Sequence, residues 1–183
     1  MSGPRVVLVG PPGSQVAEVA AALARSWGVA VRDTDADVER LAGKPVPDVF
    51  LEDGETRFRE LEHEAARTAL AEHDGVLALG GGAVLHPLTE DLLVAYRATG
   101  GAVVFLDVSL RHAAPRVGFN QARSIAVGNP RSQWQALMTE RRPVYERVAT
   151  VTVSTDGVTP EEVADRVAAA LAGAGRDGDG AEA

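Results

Sequence analysis

RVVLVGPPGSQVAE, residues 5–18, passes from an apolar β-branched run through a Gly/Pro turn into an alanine-rich segment of helical character. A buried strand feeding a glycine turn and a helix N-terminus aims backbone N–H groups and the positive end of a dipole at one point, a geometry that suits phosphate. Gly10 and Gly13 match the opening of the nucleotide-binding pattern G-x-x-x-x-G-K-[ST] or its variant G-x-x-G-x-G-K-[ST]. Where glycine, lysine and a hydroxyl residue would follow, the chain has Gln15, Val16 and Ala17. Gln15 lacks glycine's conformational freedom, Val16 brings no ammonium to phosphate oxygens, and Ala17 brings no hydroxyl to magnesium. Glu18 adds an anion, whose repulsion of one phosphate charge at ~5–10 Å is about 1.5–3 kcal/mol at an effective dielectric of about 20. The residues alone leave two readings: a phosphate loop stripped of its cation, or an ordinary strand-to-helix turn.

The chain has 183 residues, enough for one domain with a substantial core. Its composition, 45% hydrophobic but 4% aromatic, makes that core one of Ala, Val and Leu. A net charge of -8 argues against nucleic acid and anionic membrane surfaces as partners. Without cysteine there is no disulfide or thiolate metal site. No signal-peptide pattern or spanning apolar run is present, so a cytoplasmic location is expected.

Five short apolar runs, at 6–9, 29–32, 76–79, 103–106 and 151–153, alternate with longer segments of helical periodicity. This predicts an α/β fold, a three-layer parallel sheet of about five strands flanked by helices. The first helix is expected at 13–27, a second capped by Thr34, a long charged one at 55–72, and a last one opened by the Thr159-Pro160-Glu161-Glu162 box and ending near 172. The single domain is expected to span 1–172, with 173–183 a disordered tail. Ligands in such sheets bind beyond the carboxyl ends of the strands. Asp33-Thr34-Asp35, Gly80-Gly81-Gly82 and Asp107 all fall there. Paired acids can hold magnesium or orient a hydroxyl, and a glycine triplet can offer N–H groups to a substrate. Each could equally be a helix-start anion or a plain turn. His73 and His112 are expected at the solvated surface, and Trp27 and Trp134 in helix packing.

Together the segments VGPPGS, RDTDADVE, FLEDGETRFRELE, DGVLALGGGAVL, FLDVS, RVGFNQAR and ALMTERRPVYERVA resemble shikimate kinase, of the nucleoside-monophosphate-kinase-like phosphate-loop group. The resemblance implies that Asp33 serves magnesium and Asp35 the substrate hydroxyls. It further implies that Arg59 and Arg141 clamp a carboxylate, Glu62 buttresses Arg59, and Gly80, Gly81 and Gly82 contact substrate. A guanidinium fork meets a carboxylate through two parallel charge-assisted hydrogen bonds, which makes chemical sense of that clamp. Arg123, counted by the resemblance among the substrate-binding residues, opens the lid segment, where the family's Arg-Pro-Leu-Leu is here Arg123-Ser124-Ile125-Ala126. Arg116 keeps the adenine-packing position, while the family's Val-Asp-Thr is replaced by Val153-Ser154-Thr155.

The substrate side thus matches the family while the nucleotide side departs from it. The expectation drawn from that asymmetry is a protein that binds shikimate or a related ring acid, needs no cofactor or metal, and eliminates the 3-hydroxyl as water. Asp33 and Asp35 would be the catalytic acids, and Glu62, His63 and His86 the candidates for an unassigned base. Two alternatives stand beside this lyase: a non-catalytic, regulatory shikimate-binding pseudokinase, and a residual kinase whose cation comes from Arg116, Arg123 or, remotely, Lys44.

Overall fold

The computed structural model describes residues 3–117 and 129–177. In chain order these form β1 (Val6–Val9), α1 (Val16–Trp27), β2 (Val31–Asp33), α2 (Thr34–Ala42), the single turn α3 (Val46–Asp48) and a π-helical turn at Val49–Asp53. Then come α4 (Gly54–Glu72), β3 (Val76–Ala78), a 3-10 turn at Ala83–Leu85, α5 (Pro87–Ala98), β4 (Val103–Asp107), α6 (Leu110–Arg116), α7 (Pro130–Val148), β5 (Val151–Ser154) and α8 (Pro160–Asp177).

The strands make one parallel sheet in the order β2-β3-β1-β4-β5, with Val6 opposite Val76 and Val7 opposite Val103. Successive side chains of a strand point to opposite faces, and both faces here are covered. Val7, Val9, Leu77 and Phe105 pack on one side with Ala66, Leu93 and Tyr145 of α4, α5 and α7. Val6, Leu8, Val76 and Val104 pack on the other with Leu23 and Val167 of α1 and α8. Burying a Val or Leu side chain of this kind contributes roughly 1.5–3 kcal/mol, so the continuous apolar runs of β1 and β4 hold the layers together. A third, smaller cluster of Val38, Val49, Phe58, Leu61 and Ala65 joins α2 to the first half of α4.

The chain crosses β1 to opposite sides on its way to β3 and β4, which opens a crevice above the carboxyl ends of these strands. Local chemistry fixes the elements around that crevice. Gly28 ends α1 in the left-handed region and returns its N–H to Ala24 and Arg25. Asp33, not Thr34, caps α2: its carboxylate accepts from the Asp35 N–H at 2.9 Å, leaving the Thr34 hydroxyl for a distant partner. Asn129 caps α7 in the same way, through the Arg131 N–H at 3.0 Å. The Thr159 box forms as expected, with the Thr159 N–H donating to Glu162 and the Glu162 N–H to the Thr159 hydroxyl. The helix it opens runs past the expected end to Asp177, because the Ala-rich repeat continues the turn through Gly173. The end of the tail, 178–183, lies outside the described residues.

Candidate active site

Residues 10–15 carry the chain from β1 to α1 as a compact loop. The buried Ser14 hydroxyl donates to the Pro11 carbonyl at 2.7 Å, and the Trp134 indole N–H, from α7, donates to the Pro12 carbonyl at 3.1 Å. Gln15 adopts φ 62° and ψ 39°, the left-handed conformation that glycine takes without strain. The loop therefore keeps its path to the helix N-terminus despite the substitution. It borders a cleft of about 580 Å³ lined by Gly13, Val16, Asp33, Asp35, Gly81 and Arg116, among others. Arg116 donates to the Gly13 carbonyl at 3.0 Å, the Thr155 hydroxyl at 3.1 Å and the Thr155 carbonyl at 3.0 Å, so a guanidinium is held against the loop.

Asp33 and Asp35 stand at the start of α2 and face this cleft together. Burial raises the pKa of Asp33, partly offset by the Asp35 N–H and reinforced by Asp37. Asp35 reaches solvent at the cleft mouth, yet the surrounding walls push its pKa up to about 6, with Asp33 and then Glu62 adding like charge.

The glycine triplet lies between these acids and the arginines. A Cβ on Gly80 would come within 2.4 Å of Asp35 Oδ1 and 3.2 Å of Glu62 Oε1; one on Gly82 would come within 1.9 Å of Arg59 Nη1. Only a bare backbone lets the carboxylate and the guanidinium close on the same turn. Arg59 projects from α4 and donates to the buried Glu62 at 2.5 Å and to Glu55 at 3.3 Å. Burial raises the pKa of Glu62, against the opposing pull of Arg59 and Arg141. Arg141 donates to the Gly81 carbonyl at 3.4 Å and lines, with Arg59, His86 and Glu140, a second hollow of about 320 Å³.

The structure thus gathers Asp33, Asp35, Arg59, Glu62, Gly80, Gly81, Gly82 and Arg141 at one end of the sheet. Arg123 lies outside the described residues. Asp107 is drawn away from the site by a two-pronged pair with Arg142, at 2.7 and 3.0 Å. Lys44 is held by Glu52 and Asp53, both at 2.8 Å. His63 stacks on His86 with ring centroids 4.6 Å apart and bonds the Thr89 hydroxyl at 3.0 Å. His73 and His112 are half-buried rather than free at the surface: His73 meets the Val76 carbonyl at 3.0 Å and His112 pairs with Asp156 at 3.3 Å. Three residues of the site were not legible in the sequence. The Thr34 hydroxyl accepts from the Gly80 N–H at 2.9 Å, the Tyr145 hydroxyl donates to the Gly81 carbonyl at 2.5 Å, and Trp134 holds Pro12. The one available signal was spacing, since Tyr145 follows Arg141 by four residues on the same helix.

A 2-3-1-4-5 parallel sheet with a glycine loop after β1 defines a phosphate-loop kinase fold. A gluconokinase from Sinorhizobium meliloti shares that fold at a TM-score of 0.61 and 21% identity, covering 96% of this chain and 95% of its own. The chain belongs to the shikimate kinase family, whose family model matches residues 14–172. A shikimate kinase of Thermobifida fusca is 49% identical over 174 residues, 95% of this chain and 98% of the relative. One of Salinispora arenicola is 52% identical over 169 residues, 92% of this chain and 98% of the relative. The solved structure of the Acinetobacter baumannii shikimate kinase in complex with shikimate superposes with a TM-score of 0.83 at 27% identity, covering 94% of each chain.

These relatives overturn the chemistry expected from the loop substitutions. Half-identical, full-length relatives are kinases, which transfer a phosphoryl group, and none is a lyase. Dehydration at Asp33 and Asp35, and the regulatory pseudokinase with a disabled loop, both fall with that finding. No helix among the described residues is long and apolar enough to cross a membrane.

Proposed function

We propose that the chain is a residual shikimate kinase, transferring the terminal phosphoryl group of ATP to a hydroxyl of shikimate. The observation that carries this reading is that the two hollows adjoin: Gly81 lines the loop cleft, and its carbonyl accepts from Arg141, which lines the other. A ring acid whose carboxylate meets Arg59 and Arg141 presents its hydroxyls across the glycine triplet to Asp35, on the border of the nucleotide cleft.

The roles follow from charge and geometry. Arg59, already oriented by Glu62, meets the carboxylate with a rigid fork, and Arg141 supplies the second cation. Asp35 accepts the proton of the attacking hydroxyl as the oxygen–phosphorus bond forms and the bond to the departing diphosphate breaks. Arg116 is the cation nearest the loop among the residues lining the cleft, and it supplies positive charge where the loop itself carries none. Among the described residues no group of three or more His, Cys, Asp or Glu could hold a metal by itself. Asp33 fits magnesium nonetheless, since that ion takes one or two carboxylates and completes its shell with substrate phosphates and water. When bound there, magnesium neutralises charge on the phosphate oxygens.

Incubation with shikimate and Mg-ATP should yield a product heavier by one phosphoryl group, detected by mass spectrometry, with one ADP released per product. Arg59→Lys, which keeps the charge and loses the fork, should raise the KM for shikimate about tenfold or more. Absence of any phosphorylated product from folded protein overturns the reading.

A further inference from the structure

Helix α7 carries Trp134, Met138, Arg141 and Tyr145 at spacings of four, three and four, which place them on one face. The polar ends of three of them meet main-chain carbonyls of the ligand loops. Trp134 takes Pro12, while Arg141 and Tyr145 share Gly81. Tyr145 is fully buried and its ring lies on Phe105, with centroids 5.0 Å apart and planes at 16°. Burial raises its pKa, so the phenol keeps its proton and remains a donor. The Arg141 guanidinium opposes that rise by its charge, and it donates to the same Gly81 carbonyl as the phenol. On the other side of the turn, the Gly80 N–H is held by the Thr34 hydroxyl.

We infer that Tyr145 is a positioning residue of the ring-acid pocket, whose hydroxyl fixes the Gly81 carbonyl and, through it, the Gly81–Gly82 peptide and the guanidinium of Arg141. The inference rests on the shikimate-binding reading above. A phenol buried only for packing would need no partner beyond any nearby acceptor. Here the acceptor is the middle carbonyl of the triplet, and a second donor on that carbonyl is a clamp residue. Removing the hydroxyl frees the peptide to rotate and leaves Arg141 to carry the carbonyl alone, so the cost falls on the carboxylate end of the pocket.

The test is calorimetric titration of shikimate and, separately, of ADP into the wild-type protein and Tyr145→Phe, which keeps the ring and its stack on Phe105. Tyr145→Phe should weaken shikimate binding about five- to tenfold, the loss expected for one buried hydrogen bond. ADP affinity should stay within about twofold, because the Pro12 side of the helix is held separately by Trp134. A cycle with Arg141→Lys should show less than additive loss in the double variant, since both side chains act on one carbonyl. Equal shikimate affinity in wild type and Tyr145→Phe, or equal weakening of both ligands, overturns the inference while leaving shikimate binding intact. Wild-type protein that takes up no shikimate overturns the binding reading itself, and the inference with it.

Discussion

Gln15 holds a left-handed backbone, φ 62°, at a position where an L-side chain costs about 1–2 kcal/mol. Next to it Val16 lines the cleft in which Arg116 is the nearby cation. Val16→Lys would place an ammonium where the transferred group's charge develops. Loss of one such donor from an active site typically costs about a hundredfold in rate or more, so the gain in kcat should be about tenfold at least, with the KM for shikimate unchanged. An assay of ADP release checks it. No gain from a variant of unaltered melting temperature would mean that Arg116 already supplies the charge in full. The grouping of the candidate site was legible to the extent that its residues sit in contiguous segments, and the fold brings Asp35, Arg59, the glycine triplet and Arg141 to one end of the sheet. Thr34 and Tyr145 were not, because their partners lie 46 and 64 residues away. A threonine before a helix also reads as a cap, and here Asp33 has taken that role.

The helices α4 and α5 meet through His63 and His86, stacked at 13°. Desolvation, then the neighbouring His86, lowers the pKa of His63 below its ordinary value; Glu64 opposes this and Arg67 adds to it. In the window between the depressed folded pKa and the unfolded value near 6.5, the unfolded chain binds the extra proton. Stability linked to His63 is therefore fully present above about 6.5 and is lost as the pH falls through the window. Urea midpoints measured at pH 7.5 and 5.5 should show that loss, and His63→Gln should flatten the part of the slope that His63 causes. An identical slope in the variant would assign the acid sensitivity to other groups. Elements were legible wherever periodicity was unbroken, as in β1, α1 and the capping box of α8. The π-helical turn at Val49–Asp53 and the 3-10 turn at Ala83–Leu85 were not. Their form is set by what they pack against, α2 and the first half of α4 for the former and α4, α5 and α7 for the latter, and no local period announces it.

At the scale of the molecule, the three apolar clusters are unequal. The two that sandwich the sheet draw on β1, β3 and β4, whose residues are almost wholly buried, whereas the third holds only Val38, Val49, Phe58, Leu61 and Ala65. Local opening costs least where few apolar contacts must be broken, so the segment from α2 through the first half of α4 is the part that should open independently of the sheet. The second half of α4 is anchored by Ala66 and Ala69 in the main core and should stay closed. Asp35 and Arg59 both sit on the weaker unit, while Gly81 and Arg141 belong to the stronger one. A ring acid bridging them must therefore pull the small cluster onto the sheet and suppress its opening. Hydrogen exchange followed by mass spectrometry should show residues 34–60 exchanging faster than β1 and β4 in the free protein. Saturating shikimate at about a hundred times its Kd should slow them by up to about a hundredfold, the factor set by ligand linkage. Exchange in this segment as slow as in β1 before any ligand is added would show that the pocket is held closed by the fold alone.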